Sequence, residues 1–289
     1  MRILLATEMG FCFGVRRAVE MMTQAVAERG QMVSLGSVVH NPQVVEELRQ
    51  QGLETINDVS QVDQQPVAIT AHGVGPEVLQ RLGESGVEVI DTTCPIVTRS
   101  QQWARRLGEE GFAIVIFGDP AHKEVRGVVG WSTGKVLVIP REDQVGPLPA
   151  EFPSRIGVLS QTTETESRFA AFVKKLLEAN MDRISELRII NTLCHATTSQ
   201  QAATMHLAQE VDLMIVVGGR DSANTRHLAD VSREAGVATY HVETANQIEQ
   251  AWLAGHDKVG VTAGASTPDF AIAAVVERLQ AMAPAPATR

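Results

Sequence analysis

The chain has three cysteines in 289 residues, and each stands at the same kind of hinge. Cys94 lies in VEVIDTTCPIVTRSQQWARR (87–106) and Cys194 in LRIINTLCHATTSQQAA (187–203). Both stretches read as a buried apolar strand, an acid or amide followed by Thr, the cysteine, and then an amphipathic helix. RILLA, GFC and GVRRAVEMM repeat the pattern around Cys12. Pro95 suits a first helical position, which makes Cys94 the expected N-cap. A thiol there faces unpaired backbone N–H groups, so its thiolate is expected to be favoured, ready to act as nucleophile or metal ligand.

Taken singly, a free cysteine is most often a small buried hydrophobe. The shared hinge changes that reading, because burial alone does not require one position three times. Three thiolates on one centre suggest an iron-sulfur cluster one protein ligand short of the usual four, with one iron open to substrate. Zinc with three thiolates and a water is the other metal reading, without the local C-x-x-C spacing common in zinc sites.

Further polar groups keep step with the cysteines. His40, His122 and Ser222 each follow their cysteine by 28 residues, at the end of a second apolar run in MVSLGSVVHNPQVVEEL, FAIVIFGDPAHKEVRGVVG and DLMIVVGGRDSANTRHLADV. A third run in each copy ends at His72 (PVAITAHGVGPE), at Thr162 and Thr163 (IGVLSQTTET), or at Ser266 (VGVTAGASTPD). Imidazoles, hydroxyls and the Asn224 amide beside helix N-termini make a good cradle for a diphosphate. No Walker-type glycine loop points to a nucleoside triphosphate, and no flavin or nicotinamide fingerprint appears. Glu124, two residues after His122, is the carboxylate among these tips and the natural candidate for proton delivery. The plain alternative is a solvated glutamate favoured by the helix dipole, and the residue types alone do not separate the two. His195, beside Cys194, reads as a supporting residue.

These positions need elements to hold them. Apolar runs alternating with helical segments predict an α/β fold of parallel strands, whose carboxyl edges gather the polar tips. Short strands with turns (LETINDVSQV, VLVIPREDQV, TYHVETANQI) complete each copy. Three α/β units of about a hundred residues are expected: 1–86 with Cys12, His40 and His72; 87–182 with Cys94, His122, Glu124 and Thr162; and 183–282 with Cys194, Ser222, Asn224 and Ser266. In a pseudo-threefold arrangement the cysteines would converge on one point. Gly30, Gly52 and Gly83 read as helix ends with left-handed caps, Asn41 and Pro42 as the start of a helix, and 283–289 as a flexible tail.

Composition narrows the class. Hydrophobic residues make up 44% of the chain, enough for packed cores. A net charge of −9 without a basic stripe argues against nucleic acid. There is no long apolar run or signal-peptide start, and three distant cysteines do not make a disulfide framework, so a cytoplasmic protein without a membrane span is expected.

Together GFCFGVRRAVE, VVHNPQVVEEL, AHGV, DTTCPIVT, HKEVRG, QTT, CHATTSQQ, DSANTRHL and VTAGAST resemble, in order and over nearly the whole chain, the LytB/IspH family of hydroxymethylbutenyl diphosphate reductases. The resemblance implies a trefoil-like fold of three units around a 4Fe-4S cluster held by Cys12, Cys94 and Cys194. It also implies reductive dehydroxylation of an allylic alcohol diphosphate to isopentenyl and dimethylallyl diphosphates, at the end of the non-mevalonate (MEP) isoprenoid route. By motif, His40, His72, His122, Ser222, Asn224 and Ser266 would bind the diphosphate, Thr162 the substrate hydroxyl, and Glu124 would supply protons. Electrons would come from a ferredoxin or flavodoxin. Ala223 stands where the family carries another serine, Ser199 and Gln200 replace an Asn-Arg pair, and Phe13 and His195 are also atypical. Two readings compete with the reductase: a zinc-dependent hydrolase of a phosphorylated metabolite, and an iron-sulfur redox sensor that binds a diphosphate without turnover.

Overall fold

A computed structural model describes residues 1–283 and contains three parallel four-stranded sheets with flanking helices. The tail from Pro284 onward lies outside the described residues. In the first sheet β1 (Arg2–Leu5) pairs with β12 (Lys258–Ala263), which pairs with β10 (Leu213–Val217) and it with β11 (Ala238–Val242). The second runs β3 (Leu53–Ile56), β2 (Met32–Leu35), β4 (Val67–Ile69), β5 (Val89–Asp91). The third runs β7 (Val136–Ile139), β6 (Ala113–Phe117), β8 (Arg155–Ser160), β9 (Glu186–Ile189). Every pairing is parallel.

The three strand orders are one order. A central strand is flanked by the short strand that follows it and by the third strand of its copy, and the outer place is taken by a strand that leads to a cysteine. β5 leads to Cys94, β9 to Cys194, and β1, joined to the last strand of the chain, leads to Cys12. The strands before the cysteines were expected to be buried, but they are sheet edges. β5 and β9 are half-buried, and Ile189 is 46% exposed. Only one neighbour pairs with such a strand, so its far side needs no apolar cover. The central strands differ: AIVIF and LMIVV are buried at every position, as expected where helices cover both sheet faces.

By internal contacts the chain forms two compact units. One contains Met1–Arg16, Val39–Glu46 and the described residues from His195 to Ala283, with the first sheet. Its core packs Leu213, Ile215, Val259 and Val261 on α9 (Asp269–Met282), and Met214 on α7 (His195–Ala208). The other contains Arg17–Val38 and Glu47–Cys194, with the second and third sheets. There Phe117, Val158 and α6 (Glu166–Asn180) build one face of the third sheet, while Ile114, Ile116, α4 (Pro95–Glu109) and α5 (Lys123–Trp131) build the other.

Helix ends follow the local sequence with one correction. Asn41 Oδ1 accepts from the N–H groups of Gln43 and Val44 at the start of α2 (Pro42–Gln51). α3 (Pro76–Ser85) runs through Gly83 and ends at Gly86, which takes the left-handed conformation at φ 69°. Both glycines stand near the end of the helical pattern, and only Gly86 follows its last turn. Among the described residues no helix is long and apolar enough to cross a membrane.

Candidate active site

Nine of the predicted positions lie in loops that leave the carboxyl ends of parallel strands: Cys12 after β1, Cys94 after β5, Cys194 after β9, His40, His122 and Ser222 after the central strands, and His72, Thr162 and Ser266 after the third strands. Backbone bonds then tie each cysteine to one of those third-strand loops. Cys94 N–H donates to Ala71 O at 3.0 Å, Cys194 N–H to Thr162 O at 2.9 Å, and Cys12 N–H to Ala265 O at 3.1 Å. The same bond recurs three times, and each places a cysteine beside a predicted ligand or catalytic group: His72, Thr162 or Ser266.

In the unit with the second and third sheets, Cys94 is the N-cap of α4, with Pro95 at its first position. The expected ease of thiolate formation does not follow. Burial pushes the Cys94 thiol up, with Cys194 and Glu124 adding to the effect, against the opposing pull of the Ile96 and Val97 N–H groups. A cation would favour the anionic sulfur in such surroundings, and a thiophilic metal centre would supply one. The Cys94 and Cys194 donor set therefore fits such a centre. Arg17, in α1 (Phe13–Arg29), donates to the carbonyls of Thr92 and Thr93 in the loop that ends at Cys94.

Glu124 is 3% exposed, at the second position of α5, so the solvated-helix-start reading fails. One residue clamps both its oxygens: Thr162 N–H donates to Oε1 and Thr162 Oγ1 to Oε2, each at 2.7 Å. Burial holds the Glu124 carboxyl above the ordinary glutamate range, and the two bonds from Thr162 only partly oppose it. His122 is the N-cap of α5, and its Nδ1 accepts from Glu124 N–H at 3.3 Å. A backbone N–H can only donate, so the neutral ring carries its proton on Nε2. The His72 ring meets His122 edge-on at 5.5 Å between centroids, and His72 Nδ1 lies 3.3 Å from Thr70 Oγ1.

Gln161 went unassigned in the sequence although it lies in the QTT motif. It joins the loops after β6 and β8: its Oε1 accepts from Asp119 N–H and its Nε2 donates to Thr163 Oγ1, both at 3.0 Å. Thr163 is thus part of this tie. A Cβ on Gly118 would come within 2.7 Å of Gln161 Cβ, so that glycine permits the approach.

The other unit brings His40, Ser222, Asn224, Ser266 and Cys12 into linked loops. Ser266 Oγ donates to His40 O at 3.4 Å. His40 O also lies so close to Gly219 that a Cβ there would be 2.1 Å away. Ser222 caps α8 (Ala223–Glu234) by accepting from Thr225 N–H at 3.3 Å. Asn224, 3% exposed at the second position of α8, donates through Nδ2 to Gln200 Oε1 at 2.9 Å. His195 is exposed at the start of α7, where Nδ1 lies 3.3 Å from Ser199 Oγ, which suits a structural role.

Each unit thus supplies hydrogen-bond donors at helix N-termini and thiols on fixed loops, and the unit with the second and third sheets adds the buried Glu124 carboxyl. Donors of the first kind suit a polyanion, and a buried carboxyl suits proton transfer. The family model described as LytB protein matches residues 3–280. A protein of Dehalococcoides mccartyi strain CBDB1 named 4-hydroxy-3-methylbut-2-enyl diphosphate reductase is 42% identical over 96% of this chain and 98% of its own. One of the same name from Geobacter sulfurreducens is 40% identical over 97% of each. A solved (E)-4-hydroxy-3-methyl-but-2-enyl diphosphate reductase, described as the terminal enzyme of the non-mevalonate pathway, aligns over 97% of the chain with a TM-score of 0.70 at 36% identity. The Plasmodium falciparum reductase structure aligns over 96% of the chain and 88% of its own, with a TM-score of 0.89 at 26% identity.

Proposed function

Because the chain belongs to the LytB family, we propose that it reduces 4-hydroxy-3-methylbut-2-enyl diphosphate to isopentenyl and dimethylallyl diphosphates. The allylic C–O bond breaks, a C–H bond forms, and two electrons and two protons are consumed as water leaves. One observation carries the assignment of roles. Thr162 binds both oxygens of the buried Glu124 through its N–H and hydroxyl, and binds the Cys194 N–H through its carbonyl. The proposed proton store and a proposed thiol ligand are therefore both bonded to one residue of the loop after β8.

Cys12, Cys94 and Cys194 would hold a 4Fe-4S cluster with one iron left without a protein ligand. When bound, this group supplies electrons singly and a Lewis acid for the departing hydroxyl. Everything else is the work of side chains. Glu124, whose burial favours its protonated form, gives its proton to Thr162 Oγ1 while the Thr162 hydroxyl, turned away from Oε2, passes its own proton to the leaving hydroxyl. The Thr162 hydroxyl orients the substrate hydroxyl as the proton moves. His122, with Nδ1 committed to the helix, presents Nε2–H to the diphosphate. His40, His72, Ser222, Asn224 and Ser266 would be the other diphosphate ligands. Binding the non-reacting diphosphate holds the allylic end in place, so the chemistry gains from remote binding energy. The reductant is an external one-electron carrier, a ferredoxin or flavodoxin.

The test is anaerobic purification with iron, acid-labile sulfide and the visible spectrum measured, followed by turnover with the allylic diphosphate and a chemical reductant. Iron with matching sulfide, and both isoprenoid diphosphates over many turnovers, are expected. A colourless protein with stoichiometric zinc would replace this reading with a hydrolase, and a cluster without product would replace it with a sensor.

A further inference from the structure

Gln200, 5% exposed in α7, bridges two polar groups. Its Nε2 donates to Gly10 O at 2.8 Å and its Oε1 accepts from Asn224 Nδ2 at 2.9 Å. The direction of this chain is fixed at one end. A carbonyl only accepts, so Gln200 must turn its NH2 to Gly10; its oxygen then faces Asn224, which must answer with its own NH2. Turning either amide over would set two oxygens against each other at hydrogen-bond distance. Gly10 itself is held, at φ 77°, by donation from its N–H to Ala263 O at 3.2 Å, two residues before Cys12. Asn224 Oδ1 is buried without a hydrogen-bond partner among the described residues, so nothing there locks the Asn224 amide. The lock comes from Gln200.

We infer that Gln200 is a positioning residue for diphosphate binding: through the Gly10 carbonyl it fixes the amide orientation of Asn224. An amide nitrogen carries two protons, so one serves Gln200 and the second remains as a donor at the start of α8. Without the relay the amide has no reason to prefer its nitrogen over its oxygen at either place, and a carbonyl oxygen repels an anion. This inference rests on the reading of Asn224 as a diphosphate ligand. Ser100, at the matching place after Cys94, donates to Ile96 O within its own helix, so the relay is not a property of the repeat.

The experiment is calorimetric titration of the anaerobic, cluster-loaded enzyme with inorganic pyrophosphate, for the unchanged chain, Gln200→Met, Asn224→Ala and the double variant. Loss of one oriented bond to a charged ligand predicts about tenfold weaker binding for Gln200→Met. Asn224→Ala should lose at least as much, and the double variant should bind about as Asn224→Ala does, because Gln200 acts only through Asn224. In turnover, KM should rise in Gln200→Met while kcat stays within about twofold, since the residue touches no reacting atom. Losses that multiply in the double variant overturn the relay, as does undiminished affinity in Gln200→Met beside a weakened Asn224→Ala. Undiminished affinity in Asn224→Ala overturns the relay and the ligand reading together. If Gln200→Met does not retain iron and sulfide, Gln200→Asn goes through the same cycle, an amide one methylene too short to reach both partners.

Discussion

The third sheet and the first have the same strand order, yet their equivalent loops carry different chemistry. After β6 the helix α5 is capped by His122 and carries Glu124 at its second position; after β10, α8 is capped by Ser222 and carries Asn224 there. The loop after β8 offers Thr162 to Cys194, and the loop after β12 offers Ala265 to Cys12 in the same bond. Thr162 supplies the partner for Glu124, whereas Ala265 has no hydroxyl and Asn224 takes its partner from Gln200 in α7. One backbone frame thus holds an acid with a hydroxyl in one place and an amide with an amide in the other. The first pair is suited to move protons, and the second, which holds no acidic proton, is suited to grip an anion.

Breaking what the two regions share should have the largest effect. Cys194→Ser should lose most of its iron and sulfide in anaerobic preparations, and turnover with them; a variant retaining full iron and sulfide would refute its role as a ligand. Next comes the acid that only the third sheet carries. Glu124→Gln should lower turnover by roughly 10²–10⁴-fold, while iron content and pyrophosphate affinity stay close to those of the unchanged chain. Full activity in that variant would remove Glu124 from the mechanism. Thr162→Ala makes the third sheet resemble the first at this point, and kcat should fall by about ten- to a hundredfold, with less change in pyrophosphate affinity.

Smaller effects test the frame itself. Gly219→Ala forces a Cβ into His40 O, and thermal unfolding should show a loss of about 1–3 kcal/mol, with weaker pyrophosphate binding. The smallest effect is electrostatic. The Glu124 carboxyl in the folded chain titrates above the ordinary glutamate range, so the folded state binds more protons than the unfolded state between the two pKa values. The stability contribution of Glu124 therefore falls as pH rises through that interval. Glu124→Gln, which cannot ionise, should melt higher than the unchanged chain above that interval, and the difference should shrink as the pH is lowered; a constant difference would refute the buried-acid reading.

Much of this was legible beforehand. Thr162 and Glu124 were both named from their motifs, but their bonds to each other join residues 38 apart and have no local signature. The same holds for Gln161 and Gln200, whose partners lie 42 and 190 residues away. Edge position also escaped the sequence. VEVI and LRII each have three apolar residues and one charged one, enough to read as a buried strand, and the pairing of β5 and β9 to a single neighbour reveals them as sheet rims.

By itself the sequence determined the α/β alternation, the hinge of each cysteine and the placing of the polar tips after strands. These are properties of periodicity and capping within a dozen residues, where local sterics and hydrogen bonding decide. Tertiary structure alone decided that Glu124 is buried against Thr162, that burial raises the Cys94 thiol despite its helix N-terminus, and that Gly10 dictates the amide of Asn224 through Gln200. Desolvation and side-chain partners depend on which segments the fold packs together, and spacing along the chain does not carry that information.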